Sequence, residues 1–356
     1  MRHSPGLLLR RATVGVLALA TIWAPGAARA TAPPAPESAR LAFAERHQAL
    51  QHGGIVRAAN ASISCRTTTA QDCAAARTGP AGANSRLDMF YVDVDSDPNT
   101  YNSSRAEVRM PAGSRVTYAR LYWGGNLRVG EQKPSADNGR VLIAEPGGQY
   151  EAVLADTVVG HRVAHGADAF QASADVTKLV RESGSGLYTV AQVNVAMGRS
   201  AAGAWGGWTL VVAYENPEEP LRHLALWDGF DALNSRAGQL IRLSGMPFPK
   251  GARGYAGLVA YDGDRGRRGD ALTVAGVPLG DPANPRDDVL NSTISEPGAA
   301  PAERAPAYAN TLGYDSDVFE LDPALRAGGD QLAFRLVSQR DAAWAGVLFV
   351  AVDAQQ

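Results

Sequence analysis

The densest run of ligand-type side chains in the chain is Tyr91-Val92-Asp93-Val94-Asp95-Ser96-Asp97-Pro98-Asn99-Thr100. Asp93, Asp95, Asp97 and Asn99 place hard oxygen atoms at every second position, the donor type that Ca²⁺ takes at six to eight positions. In a flat strand the three carboxylates would share a face but spread over about 13 Å, at roughly 3.3 Å per residue. Asp97-Pro98-Asn99 is a turn sequence and supplies the curl that would draw them together. The pattern is not an EF-hand, because Pro98 stands where that loop needs Gly and Ser104 where it needs a bidentate Glu. Its competing use is a solvated acidic turn that closes a strand. A second candidate cation loop is Asp262-Gly263-Asp264 with Asp270 beyond Arg265-Gly266-Arg267-Arg268-Gly269. There the interleaved arginines favour internal ion pairing on a surface loop. Asp287, Asp288, Asn291, Asp315 and Asp317 add side-chain oxygens further on, each ordinary by itself.

Other chemistries have weaker claims. His161 and His165 stand four apart, a metal spacing on a helix, but Gly160 and Gly166 flank them and point to a loop or strand. No G-x-S-x-G elbow is present. Paired carboxylates for glycoside hydrolysis need separation in space, which no motif encodes. Trp123, Trp205, Trp208, Trp227 and Trp344 sit in or beside apolar runs, where a large ring is usually core; exposed sugar-stacking platforms are the alternative. Cys65 and Cys73 are the two cysteines. Their proximity predicts a local disulfide, which by loop entropy contributes about 2.6 kcal/mol.

The elements that must position these residues are mostly strands. Short apolar runs punctuated by Gly, Pro, Asn and Asp are expected at 87–94, 116–123, 140–144, 187–195, 208–214, 221–227, 239–243, 255–261, 332–337 and 347–352. Leu210-Val211-Val212-Ala213 is apolar throughout and should be buried on both faces. One short helix is expected at 175–182 behind an Asp175 cap. Residues 31–54 read as a linker followed by a peripheral helix over Ser38–Gln51, stopped at Gly53-Gly54. The turn Glu215-Asn216-Pro217-Glu218-Glu219-Pro220 divides a first half, 55–215, from a second, 221–354. The expected class is all-β: a jelly-roll-like β-sandwich in two packed halves with a peripheral N-terminal helix.

The first thirty residues read as a signal peptide. Arg2, Arg10 and Arg11 precede the apolar run Ala12–Trp23, and Ala28-Arg29-Ala30 makes a small-x-small cleavage pattern. That run is too short to span a bilayer, and no later stretch qualifies, so no membrane span is expected. Removing residues 1–30 takes away four arginines and no acids, so the formal charge of −2 becomes −6. A mildly acidic chain without a Lys/Arg cluster is a poor nucleic-acid binder.

The strings Leu121-Tyr122-Trp123-Gly124-Gly125, Gly207-Trp208-Thr209-Leu210-Val211-Val212-Ala213-Tyr214, Trp227-Asp228-Gly229-Phe230 and Ala260-Tyr261-Asp262-Gly263-Asp264-Arg265-Gly266 carry a resemblance. Together with Tyr91–Ser104 and Asn291-Ser292-Thr293-Ile294-Ser295, they resemble an uncharacterised extracellular domain at the head of large secreted bacterial surface proteins. In those proteins it precedes tandem β-sandwich repeats. The resemblance covers about residues 55–352 and implies an adhesin-like setting without catalytic residues. The chain ends at Gln356 without such repeats, from which a freely secreted form is expected. The expectation is therefore a secreted binding or structural protein, stabilised by Ca²⁺, with an extracellular glycan or surface protein as partner. The rival is a secreted polysaccharide-active enzyme on a jelly-roll scaffold.

Overall fold

Leu210-Val211-Val212-Ala213 is apolar on both faces because its strand, Gly206–Glu215, lies between two layers. Trp208, Leu210 and Val212 enter one buried cluster, while Val211 and Ala213 enter another. The strand Trp344–Asp353 repeats the arrangement, with Leu348, Val350 and Val352 on one side and Val347, Phe349 and Ala351 on the other. Each such side chain contributes about 1.5–3 kcal/mol on burial, so these strands anchor the core.

The computed structural model describes residues 33–66, 72–233, 238–298 and 302–355. The leader expected at 1–30 and the start of the 31–37 linker lie outside them. Among the described residues, a ten-stranded sheet runs in the order Glu37–Ser38, Thr157–Ala164, Ala167–Asp175, Arg115–Asn126, Gly206–Glu215, Leu41–Ala61, Leu221–Ala232, Trp344–Asp353, Gly254–Tyr261 and Tyr314–Glu320. Its two wings meet at Leu41–Ala61 and face each other across one cluster that holds Tyr122, Trp205, Phe230, Tyr261, Tyr314 and Trp344. A five-stranded sheet (Arg304–Ala305, Ser103–Val108, Gly186–Ala191, Arg140–Ala144, Glu151–Leu154) covers the outer face of the first wing. A four-stranded sheet (Gln239–Phe248, Gly329–Val337, Ala271–Val274, Val277–Pro278) covers the second. The molecule is thus all-β, two sandwiches packed against each other, as the apolar runs led us to expect. All ten expected runs contain a strand, and the expected short helix spans Thr177–Ser183, with Asp175 Oδ1 accepting the Thr177 amide at 2.8 Å.

The helix expected over Ser38–Gln51 is not formed. Leu41–Ala61 is one 21-residue strand instead. Residues 41–52 pair with Leu221–Phe230, and residues 53–61 pair with Gly207–Glu215. The Ala- and Gln-rich composition favours a helix locally, but two rows of cross-strand hydrogen bonds outweigh that weak propensity. Gly53-Gly54 is the bend where the strand changes partners rather than a helix stop. Gly53 has φ +144°, and a Cβ there would sit 2.0 Å from the Tyr214 carbonyl oxygen. Tyr255 spans the bend, its hydroxyl accepting from the Ile55 amide at 2.8 Å and donating to the Ile55 carbonyl at 2.9 Å.

The layer between the wings contains one buried charge cluster. Asp228, 1% exposed, receives both Nε and Nη2 of Arg46 at 2.8 Å, and the Tyr122 hydroxyl at 2.9 Å. Arg120 Nε lies 3.7 Å from the same carboxylate, and the Arg120 guanidinium also bonds Asp156 and Ser173. The Arg46 guanidinium is held above its usual pKa, chiefly by its hydrogen bond to Asp228. Cys65 and Cys73 form the expected disulfide, both buried.

Asp228→Ala leaves Arg46 and Arg120 without this shared carboxylate inside the fold. The expected loss is about 3–5 kcal/mol in chemical denaturation, the range for removing one member of a buried ion pair. A loss under 1 kcal/mol would mean that the cluster is hydrated and does not couple the wings.

Candidate functional site

The Asp93–Asn99 array folds into a turn that consumes its own oxygens. Asp95 Oδ1 accepts the Asp97 amide at 2.8 Å and the Thr100 hydroxyl at 3.0 Å, and Oδ2 accepts the Tyr150 hydroxyl. Asp97 Oδ1 accepts the Asn99 amide at 2.9 Å and Asn99 Nδ2 at 2.7 Å, and Asp93 Oδ1 accepts the Ser103 hydroxyl at 2.8 Å. Burial works to raise the Asp95 carboxyl, but the Tyr150, Asp97, Ser103 and Thr100 donors together hold it below the usual carboxylate range. Among the described residues, no three His, Cys, Asp or Glu side chains form a group that could hold a metal ion.

The 262–270 loop has a different fate. It sits at one end of the second sandwich together with the Leu279–Glu303 segment, the strand Tyr314–Glu320 and the 338–343 loop, and buried aspartates tie them together. Asp341 Oδ2 accepts the Asp264 amide at 2.6 Å, and Asp288 Oδ2 accepts the Gly266 amide at 3.0 Å. Asp270 Oδ2 accepts the Leu290 amide at 3.1 Å. Thr293 and Ser295 run along the edge of Tyr314–Glu320. Their carbonyls accept the Ser316 and Val318 amides, at 2.9 and 3.0 Å. Their own amides go to Asp315 Oδ1 at 3.2 Å and Asp317 Oδ1 at 2.9 Å, so side-chain carboxyls stand where a sheet would offer carbonyls. Sequence reading grouped Asp262, Asp264 and Asp270 in one loop and left Asp288, Asp315 and Asp317 apart; the structure brings all six to one end of the fold. It missed Asp341, whose isolated position in the sequence gives no signal.

Burial dominates the electrostatics here. It raises Asp264 to about 7, with Asp341 adding repulsion, and Asp270 to about 8, with Asp341 and Asp288 adding more. Asp262, Asp288 and Asp341 are also raised, burial first. Arg267 alone of the loop's arginines pairs with these acids, its Nη1 lying 3.1 Å from Asp341 and 3.4 Å from Asp264. Arg265 instead donates to three backbone carbonyls, those of Asn291, Gly79 and Ala309. Arg268 reaches Asp287 at 3.4 Å, so the interleaved arginines do pair in part. The backbone is strained at the same place: Asp262, Ser292 and Leu312 have φ of 64°, 58° and 60°. Gly263 is required, since a Cβ would lie 2.4 Å from the Leu290 carbonyl oxygen and 2.6 Å from Asp315 Oδ2.

Two hollows flank this cap and share Pro80 and Arg265. One, of about 570 Å³, is lined by Asp72, Arg86, Leu87, Asp264 and Arg267. The other, of about 460 Å³, is lined by Asp288, Asn291, Thr293, Ser295 and Arg304. Of the remaining sequence candidates, Trp227 is half-buried, and the side chain of His161 lies outside the described residues. Trp123, Trp205, Trp208 and Trp344 are fully buried, and His165 lies in the turn between Thr157–Ala164 and Ala167–Asp175.

In the folded chain Asp264 and Asp270 hold protons up to about pH 7 and 8, whereas unfolded they release them near 3.9. The folded state binds more protons in between, so their contribution is complete below the unfolded value and is lost as pH rises through the folded one. The melting temperature should therefore fall between about pH 4 and 8, and fall less in Asp270→Asn; equal slopes would deny Asp270 its raised pKa. Asp95→Ala removes the acceptor of three donors and should cost about 1–3 kcal/mol. That loss is expected in calcium-free buffer as well as in millimolar Ca²⁺. A loss confined to calcium would put an ion on the array.

No curated protein matches the chain. The crystal structure of the major capsid protein P2 from bacteriophage PM2 aligns with 74% of this chain and 96% of that one, at 13% identity and a TM-score of 0.20. That score carries no argument about this chain. Three of the four strings quoted for the resemblance, Leu121–Gly125, Gly207–Tyr214 and Trp227–Phe230, fall within residues 86–254. Over that span the chain matches the family model described as a protein of unknown function, DUF3344.

Proposed function

We propose that this chain is an extracellular binding protein, adhesin-like in role, whose recognition surface is the loop-built end of the second sandwich. Its partner is an extracellular glycan or surface protein. The observation that carries the reading is the order imposed on the Leu279–Glu303 segment. Its described residues contain no strand or helix, yet Val289, Leu290, Asn291, Ser292 and Thr293 are buried. A long irregular segment in a compact domain is usually functional, and a rigid scaffold beneath it is what a recognition surface needs. Here the scaffold is the buried aspartate set, and the Arg265 clamp divides the surface into two adjoining hollows. The leader-like residues 1–30 and the Cys65–Cys73 disulfide support an oxidising destination.

One observation favours a second reading, a secreted polysaccharide-active enzyme. Asp264 lines the larger hollow with its carboxyl raised to about 7, a value suited to proton transfer near neutrality. Incubating the protein with a panel of insoluble polysaccharides separates the two. Binding is expected to retain the protein on at least one polymer without new reducing ends, and Arg265→Ala should weaken retention about tenfold or more by loosening both hollows. Reducing ends that disappear in Asp264→Asn would replace binding with hydrolysis.

A further inference from the structure

Asp315 and Asp317 lie two residues apart on one face of the strand Tyr314–Glu320, both fully buried, and their surroundings differ sharply. Asp317 Oδ1 accepts the Ser295 amide at 2.9 Å and the Ser295 hydroxyl at 2.7 Å and lies 2.9 Å from the Thr293 hydroxyl, whose single proton Asn284 and Asn291 Oδ1 also contest at 2.7 Å; its Oδ2 has no partner. Arg57, from the Leu41–Ala61 strand, and Arg304 are the cations that act on it. Neither has a carboxylate in contact among the described residues. Arg57 Nη2 donates to the Ser295 carbonyl and Arg304 Nη2 to the Tyr308 carbonyl, while Arg57 Nε and Arg304 Nη1 have no partner. Asp315 accepts the longer Thr293 amide bond, at 3.2 Å, with the Ser292 backbone also acting on it, and faces Asp317 and, from the 262–270 loop, Asp270. Arg265 lies within the field of both, but its donors go to backbone carbonyls. Asp315 Oδ2 has no partner and is turned with the Leu290 carbonyl oxygen towards Gly263.

We propose that Asp315 and Asp317 share a single proton, held on Asp315, and that this neutral acid–carboxylate pair locks the Thr293–Ser295 wall of the cap in place. A carboxyl group in an apolar enclosure with no cation in contact takes a proton rather than stay charged, and two adjacent carboxyls do not both ionise. The one with the Ser295 amide and hydroxyl donors and two nearby guanidiniums keeps the charge. Burial raises both groups, Asp315 the more strongly, in accord with that division. The cap holds because each member of the pair accepts one backbone amide of the Thr293–Ser295 segment. The inference goes beyond the binding reading and does not need it.

The test is an asymmetry between isosteric variants. Asp315→Asn mimics the neutral acid and should melt within about a degree of the wild type at pH 7, whereas Asp317→Asn removes the charge facing Arg57 and Arg304 and should lose several degrees. The infrared carbonyl intensity of protonated carboxyls, to which Asp264 and Asp270 also contribute, should fall by one carboxyl's worth in Asp315→Asn and not in Asp317→Asn. Exchange at the Thr293 and Ser295 amides, corrected for intrinsic pH dependence, should accelerate about tenfold or more from pH 6 to 9 in the wild type and distinctly less in Asp315→Asn. Equal losses from the two variants, a larger loss from Asp315→Asn, or identical acceleration of exchange would overturn the assignment. So would a rise in wild-type melting temperature with millimolar Ca²⁺ that Asp315→Asn abolishes, which would put a cation where the proton is placed.

Discussion

Two strands of the inner sheet have no face to offer water. Gly206–Glu215 and Trp344–Asp353 are buried along nearly their whole length, on both sides, so the sheet must be covered twice where they run. The rest of the architecture answers that demand. The wings cover each other's inner faces, and separate sheets of five and four strands cover the outer ones. Where regular cover ends, beside the edge strand Tyr314–Glu320, irregular chain takes over. Irregular chain carries backbone amides that need acceptors once buried, and the aspartates under the cap provide them. The acidic cluster is thus a consequence of covering an apolar sheet with a loop, and the raised carboxyls are a consequence of doing so out of reach of water.

The layer between the wings mixes apolar packing with polar registration. Gln171 donates to the Gly229 carbonyl at 3.0 Å and accepts the Tyr261 hydroxyl at 3.0 Å, and Thr209 meets Tyr314 at 2.7 Å. Apolar contacts alone tolerate sliding of one sheet over another. Directional bonds from Gln171, Thr209 and Asp228 permit one alignment, and a slip would strand each of them in a dry interior.

Much of this was legible in the residues. Apolar runs such as Arg140–Ala144 and Leu221–Trp227 declare strands, and Leu210–Ala213 declares burial on both faces, because those signals are local. Leu41–Ala61 was not legible, since its alanines, glutamines and charged residues favour a helix and only partners far along the chain make it a strand. Ala167–Asp175 escaped for a related reason: small alanines fill a tight interface between sheets without raising local hydrophobicity. In the Asp93–Asn99 run, which composition offers to an ion, both Asp95 oxygens meet donors of the turn and Tyr150, a use that the spacing alone does not show. The aspartates of the cap carried the reverse difficulty. Each is unremarkable alone, and only the fold shows that Asp264 meets Asp341 and that Asp270 meets Leu290.

The shared strand has a bearing on how the chain reaches its fold. Leu41–Ala61 emerges early in synthesis, but the segment it pairs with, 207–230, follows about 150 residues later. At the usual pace of a ribosome that is an interval on the order of ten to thirty seconds. Throughout it, a 21-residue segment whose second half, residues 53–61, ends up almost wholly buried has no strand to pair with. Residues 53–61 can pair only once Gly207–Glu215 is made, and residues 41–52 only after Leu221–Phe230 follows. Until then the strand's backbone is open to capture by another chain.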